Sequence, residues 1–301
     1  MSTGKKHSGN SIFAKYPAIG TATLKNGTTV PTPYHNYDAD ALIIWGEADA
    51  EWVSSKIEGE WEPVLDSKSG KAQVALWVVD YRDTNINPYK EFIVVFTVRH
   101  KTFPAATASL PSPLHALRLF EDKVAYPYIY KLWLDEEIPV MYGRDLIGCD
   151  KYLDNNMKVN FEKKSVSFEF NHVDGERNSP AAGSLCKANL KLRDQTNLGG
   201  LIGAYGFFRT LGMASGARGS WHVVTPPGVM PSTEKHNPVW DFVYETSPKF
   251  TPACDKDDIV YGGELADMKF TARIYQHDPH IRAVLLAPHT FVPIKSSSSA
   301  E

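Results

Sequence analysis

Residues 131–153 read KLWLDEEIPVMYGRDLIGCDKYL. Taken by itself, the run 137–148 has the marks of a short helix. Pro139 falls near its start, where a missing N–H is tolerated, and Gly148 supplies a stop. Lys151 follows shortly after. A lysine just past a helix C-terminus is ordinarily a solvated cation that the helix dipole favours there. Arg144 and Asp145 read as a structural ion pair within or beside the same helix.

Outward from this stretch, the chain is a series of short apolar or alternating runs separated by turn residues. Residues 41–45, 73–81 and 91–99 are rich in Val, Ile, Trp and Phe, the side chains that fit a pleated surface. Over 158–173, Val159 and Phe161 precede Lys163-Lys164, after which Val166, Phe168 and Phe170 alternate with polar residues; this predicts a hairpin. Residues 188–192, 220–224 and 264–276 add further strands, and prolines fall mostly between the runs. Asn26-Gly27-Thr28 matches a glycosylation sequon but reads as an Asn-Gly turn. A second helix is expected at 114–123 from Leu114, Leu117, Leu119 and Phe120. Many strands with few helices predict a mainly β, β-rich α+β fold: an antiparallel barrel or cone enclosing a cavity, with peripheral helices. No repeat argues for a solenoid or propeller. The polar tails 1–11 and 296–301 and the glycine-rich loop 199–219 flank and interrupt what reads as one domain over 1–301, with its core at about 30–295.

Composition removes several function classes. The 301 residues are 43% hydrophobic and 22% charged, which excludes wholesale disorder. Lys plus Arg is 32 against 35 Asp plus Glu, so nucleic acid finds no electrostatic footprint. Cys149, Cys186 and Cys254 are too far apart for a CxxC zinc site and too few for a disulfide framework. Residues 1–16 lack the apolar stretch of a signal peptide, and the longest apolar runs, 74–79 and 92–98, fall far short of the ~20 residues of a membrane helix. The expectation is a soluble, cytoplasmic protein without membrane or nucleic-acid partners. No phosphate-binding GxxxxGK[ST] and no GxSxG is present. His277, Asp278 and His280 fit neither metal-ligand spacing nor a known zinc pair, and read as a solvated loop after a strand. The seven tryptophans are dispersed, as core residues are.

The frame around Lys151 carries a further signal. Leu134-Asp135-Glu136, then Gly143-Arg144-Asp145, then Lys151-Tyr152-Leu153 resemble, in order, the signature of acetoacetate decarboxylases. There a YLDNEPAIAVGRE-type run leads to a PKKL-type turn that carries the Schiff-base lysine. Asp83-Thr84 followed by Tyr89-Lys90-Glu91 is similar to the region supplying that family's active-site glutamate. Leu265-Ala266-Asp267, ending in Ile274-Tyr275, resembles its closing strand. The resemblance implies a homo-oligomeric lyase without cofactor or metal, acting on a small keto acid, ketone or polyketide-like carbonyl compound. Its catalytic residues would be Lys151 as nucleophile, Glu91 shuttling protons or orienting the substrate, and Tyr152 shaping or protonating the intermediate. Decarboxylation leads; an aldolase, dehydratase or cyclase using the same imine follows, and a non-catalytic ligand-binding barrel is the third reading. The glycine-rich insertion and tails point to a specialised substrate, as in secondary metabolism.

The chemistry explains the residue types. An amine that condenses with a ketone forms an iminium, an electron sink for a carbanion developing beside the former carbonyl. Only the neutral amine attacks, and a free lysine with a pKa of about 10.4 is neutral about once in two thousand at pH 7. The acetoacetate decarboxylases are themselves the known case of activation by a neighbouring cation. Here Tyr152 stands where the second lysine of the pair would be, and Asp150 where the proline would be. Activation would then fall to desolvation, with Asp150 facing away from the amine. The family's carboxylate-holding arginine is not evident near residues 34–40.

Overall fold

The computed structural model describes residues 11–103, 124–173, 180–192, 217–224, 238–246, 249–253, 257–286 and 289–290. The first half of the chain runs α1 (Ile12–Lys15), β1 (Gly20–Thr23), β2 (Thr29–Thr32), β3 (Tyr34–Ala48), α2 (Ala50–Ser54), β4 (Trp61–Pro63), β5 (Ala72–Thr84), β6 (Tyr89–His100) and β7 (Tyr126–Leu134). Next come α3 (Glu137–Tyr142), a π-helix (Gly143–Ile147), β8 (Lys151–Leu153), β9 (Lys158–Glu162), β10 (Ser165–Val173) and β11 (Pro180–Lys191). The remainder is β12 (Ala217–Val224), β13 (Pro238–Thr246), β14 (Lys249–Pro252), β15 (Ile259–Tyr261), α4 (Gly263–Asp267), β16 (Thr271–Leu285) and β17 (His289–Thr290).

The order β16-β3-β5-β6-β7-β12-β13, with β13 pairing back onto β16, closes a seven-stranded barrel. All its pairings are antiparallel except β7 with β12. Because successive side chains of a strand point to opposite faces, each wall strand feeds two cores. Ile43, Trp45, Ala75, Ile93 and Val95 pack inside with Trp240 and Val223. Leu42, Ile44, Leu76, Phe92, Val94 and Phe96 face outward. The outward face is covered by a four-stranded sheet, β15-β11-β10-β9, which contributes Val166, Phe168, Phe170 and Leu190. Phe92 stacks on Phe170 with ring centroids 4.5 Å apart; each such buried ring contributes ~1.5–3 kcal/mol.

One irregularity in β7 matters later. Val94 pairs with Lys131 but Val95 pairs with Ile129, so Tyr130 is an extra residue, a β-bulge. Tyr130 and Lys131 both reach outward to Glu264, at 3.0 and 2.8 Å. Ile129 and Leu132, three apart, can therefore both face inward.

The predicted hairpin over 158–173 is present as β9 and β10, turning at Lys163-Lys164. The Asn26-Gly27 turn joins β1 to β2, with Gly27 at φ +88°, a conformation that favours glycine. Four expectations need correction. Residues 264–276 do not form one strand: Leu265 and Met268, both fully buried, lie one helical turn apart on and just past α4, before β16 begins. His277, Asp278 and His280 are not in a loop but within β16, and Asp278 is 1% exposed. The packed core begins earlier than the expected residue 30, since Ile12 and Phe13 are buried and pack on Val284. The expected glycine-rich loop is shorter at its far end, because β12 begins at Ala217. The helix expected at 114–123, residues 199–216 of that loop, residues 1–10 of the N-terminal tail, the tail 296–301, and Cys254 lie outside the described residues. Cys149 and Cys186 are buried free thiols. No helix among the described residues is long and apolar enough to cross a membrane, and no group of three or more His, Cys, Asp or Glu among them could hold a metal ion.

Asp278 accepts hydrogen bonds from the Thr246 hydroxyl at 2.5 Å and the Gln276 amide at 2.7 Å, and Gln276 in turn accepts from the Trp45 indole. Burial pushes its carboxyl up to about 6 from an ordinary 3.8, the two hydrogen bonds pulling the other way. Between these values the folded chain keeps a proton that the unfolded chain has lost. The ionised form therefore costs the fold ~3 kcal/mol above about pH 6, and this cost fades as pH falls. Asp278→Asn has no such titration. Its stability relative to the parent should drop by about 2 kcal/mol on going from about pH 7 to about pH 4, read from urea unfolding at both values. A difference independent of pH refutes the assignment.

Candidate active site

Lys151 reaches the barrel interior because of how β8 is paired. The strand runs parallel to β7, with Leu132 opposite Lys151, Trp133 opposite Tyr152 and Leu134 opposite Leu153. Leu132 faces inward, so Lys151 does too, and Tyr152 follows Trp133 outward. The preceding turn fixes the entry to this strand. The helix begun at Glu137 ends as α3 at Tyr142 and continues as the π-helix, closed by Gly148 in the left-handed region at φ +79°. The Arg144 guanidinium doubles back and donates to the Lys151 carbonyl at 2.8 Å, tying the start of β8 to the π-helix. Gly143 makes room for the lysine stem: a Cβ there would lie 2.1 Å from Lys151 Cε and 2.2 Å from Cδ.

The amine ends in an apolar cavity of about 100 Å³. Its wall is drawn from Trp77, Ile93, Ile129, Leu132, Tyr142, Ile147, Cys149, Val223, Trp240 and Phe242, with Tyr34, Tyr81, Tyr89 and Glu91 as its polar side. Lys151 and Glu91 are 6% and 3% exposed. Lys151 Nζ donates to Glu91 Oε1 at 3.1 Å, and the Tyr81 hydroxyl donates to the other carboxylate oxygen at 3.0 Å. Tyr81 stacks on Tyr89 at 4.3 Å, and the Tyr89 and Tyr34 hydroxyls are 2.9 Å apart. Burial first, with the Glu91 carboxylate adding to it, holds all three phenols well above their ordinary value. They remain neutral donors at any physiological pH. Burial likewise pushes the Cys149 thiol up to about 12, although Lys151 pulls the other way, so no thiolate nucleophile forms there.

The structure brings together Lys151 and Glu91, sixty positions apart. It does not bring Tyr152 to them: that ring stacks outside the barrel on Trp133 at 5.7 Å, and its hydroxyl donates to Asp150 at 2.6 Å. The Asp150 carboxylate is thereby turned toward Tyr152, on the face opposite the amine. Arg144 and Asp145 each have a partner of their own, Arg144 the Lys151 carbonyl and Asp145 the Lys25 backbone N–H and ammonium. Arg82, near the segment 34–40, is clamped on Asp38 and Asp40 at the surface. The sequence assigns no site role to the tyrosine trio, and Trp240 reads there only as one of the dispersed core tryptophans. Tyr89 and Glu91, two apart on one strand, share a face, which is the one signal that could have flagged the former.

Residues 21–168 match the family described as acetoacetate decarboxylase. Among solved structures, the chain is similar to acetoacetate decarboxylase from Legionella pneumophila subsp. pneumophila str. Philadelphia 1, at 12% identity and a TM-score of 0.52, over 97% of this chain and 98% of that one. It is also similar to an acetoacetate decarboxylase-like enzyme from Sphingomonas wittichii RW1, at 12% identity and a TM-score of 0.50, over 91% of this chain and 100% of the other. At such identities the likeness concerns the fold. No curated protein matches the chain.

The fit of Gly143 against Lys151 gives a test of the site's construction. In Gly143→Ala the clash falls on a flexible side chain, so the lysine yields and the backbone stays. The variant should keep its circular dichroism and cooperative unfolding, while its crystal structure shows Nζ beyond hydrogen-bonding reach of Glu91. An undisplaced amine would refute the role given to this glycine.

Proposed function

The chain belongs to the acetoacetate decarboxylase-like superfamily, and from that premise we propose that it is a lyase in which Lys151 forms an imine with a small keto acid or ketone. One observation carries the reading: a primary amine buried in an apolar cavity, 3.1 Å from a buried carboxylate. Such a pair can pass a proton between its members and leave the amine free to attack. The Lys151 nitrogen adds to the ketone carbon, and water leaves with a proton supplied through Glu91. In the iminium, the bond from the α-carbon to its leaving fragment breaks and its electron pair moves toward nitrogen, giving an enamine. Glu91, held by Tyr81, returns a proton to carbon, and water then releases the ketone product. Tyr152 is left out of these steps because its hydroxyl lies on the other face of β8.

Decarboxylation of a β-keto acid is the reaction the family resemblance supports first. The charge of the cavity favours a second reading, an aldol cleavage or addition on a neutral ketone. Iminium and Glu91 balance each other, and a substrate carboxylate would add a buried anion at a cost of several kcal/mol. Among the described residues lining the cavity there is no arginine and no second lysine. We also propose a homo-oligomer, on the family resemblance alone.

Incubation with a ketone and borohydride should add the reduced ketone's mass to the peptide carrying Lys151, and Lys151→Ala should abolish both adduct and turnover. Glu91→Gln should slow turnover by about 10²–10⁴-fold while still forming some adduct. Release of CO₂ from a β-keto acid, as against aldehyde from a β-hydroxy ketone, separates the two reactions. An unmodified Lys151 peptide after trapping overturns the proposal.

A further inference from the structure

Trp240 is 4% exposed and forms part of the cavity wall, yet its indole N–H has no acceptor among the described residues. A buried donor left without an acceptor is costly, and a fold retains one where something else satisfies it. Its place in the barrel says what that would be. Trp240 lies on β13 opposite Val223 of β12, and both side chains line the cavity. Around the seven-stranded wall, β13 is three strands from β6 in one direction and four in the other, as far from Glu91 as this barrel allows. Lys151 Nζ, held at Glu91, and Trp240 line the same cavity, so a molecule joined to the amine and filling the cavity meets the Trp240 wall. The small cavity keeps that wall within a few bonds of the reacting carbon.

We propose that Trp240 is a specificity-determining residue, and that the substrate carries a second, neutral oxygen a few bonds from the reacting ketone, which accepts the indole N–H. This rests on the imine-forming role of Lys151. The oxygen is a hydroxyl or carbonyl rather than a carboxylate, because the same wall offers no described cation beyond Lys151 to balance another anion. A β-hydroxy ketone or a β-diketone has the required shape: one carbonyl for the amine, one oxygen for the indole.

The test compares two ketones of similar size, 4-hydroxybutan-2-one and pentan-2-one, by the concentration that half-saturates borohydride trapping at Lys151. Replacing Trp240 with benzothienylalanine keeps the bicyclic ring and removes only the N–H. We expect half-saturation for the hydroxy ketone to rise about threefold to tenfold in this variant, and that for pentan-2-one to stay unchanged. Trp240→Phe should show the same selective loss, on top of a common change from the added space. Equal effects on both ketones, or none on either, overturn the role of Trp240 while leaving the lysine chemistry in place. Failure of the parent protein to trap either ketone at Lys151 overturns the imine reading, and this proposal with it.

Discussion

An ammonium or a carboxylate alone inside an apolar barrel would be expelled or neutralised, and the contact between Lys151 and Glu91 is what lets each be there. Two ionisable groups at 3.1 Å form a unit of zero net charge that tolerates desolvation far better than either member. The wall is arranged around this unit. Tyr81 occupies the second carboxylate oxygen, the three phenols stack and bond in sequence, and apolar side chains fill the rest. The same contact that permits burial also restrains the amine, which is held 3.1 Å from the carboxylate.

The polar side of the cavity differs from the one that its resemblance leads one to expect. A second lysine would repel the proton from the first, and an arginine would clamp a carboxylate. Here neutral phenols and an indole stand instead, and Arg82 is spent on Asp38 and Asp40 at the surface. Neutral donors of this kind can align oxygen atoms without binding charge.

Much of this was legible in the sequence, for identifiable reasons. The strand content followed from alternation in 73–81, 91–99 and 158–173, which reports local burial directly. Lys151 and Glu91 stood out because they sit in short frames whose residue order carries information. Tyr34, Tyr81, Tyr89 and Trp240 did not, since they come from four strands whose pairing is not written in any local pattern. Tyr152 was misplaced for a subtler reason: the face a residue takes on β8 depends on its pairing with β7, which no local pattern records. The helix α4 was hidden inside what read as a strand because five residues are too few to show a period. Asp278 read as part of a loop because a buried polar residue looks in sequence like its exposed neighbour His280.

The bulge at Tyr130 governs more than the wall of β7. Parity along a strand is counted from its last irregularity, and β8 inherits its own count from Leu132. Were that surplus residue taken into regular pairing instead, every side chain after it in β7 would change sides. The amine would then lie among the outer aromatics and the phenol of Tyr152 would enter the lumen. Whether this chain presents an amine or a phenol to its interior is thus decided by how β7 is paired rather than by a kind of residue. Straightening this one bulge is accordingly a route by which such a barrel could exchange the amine for the phenol without altering either side chain.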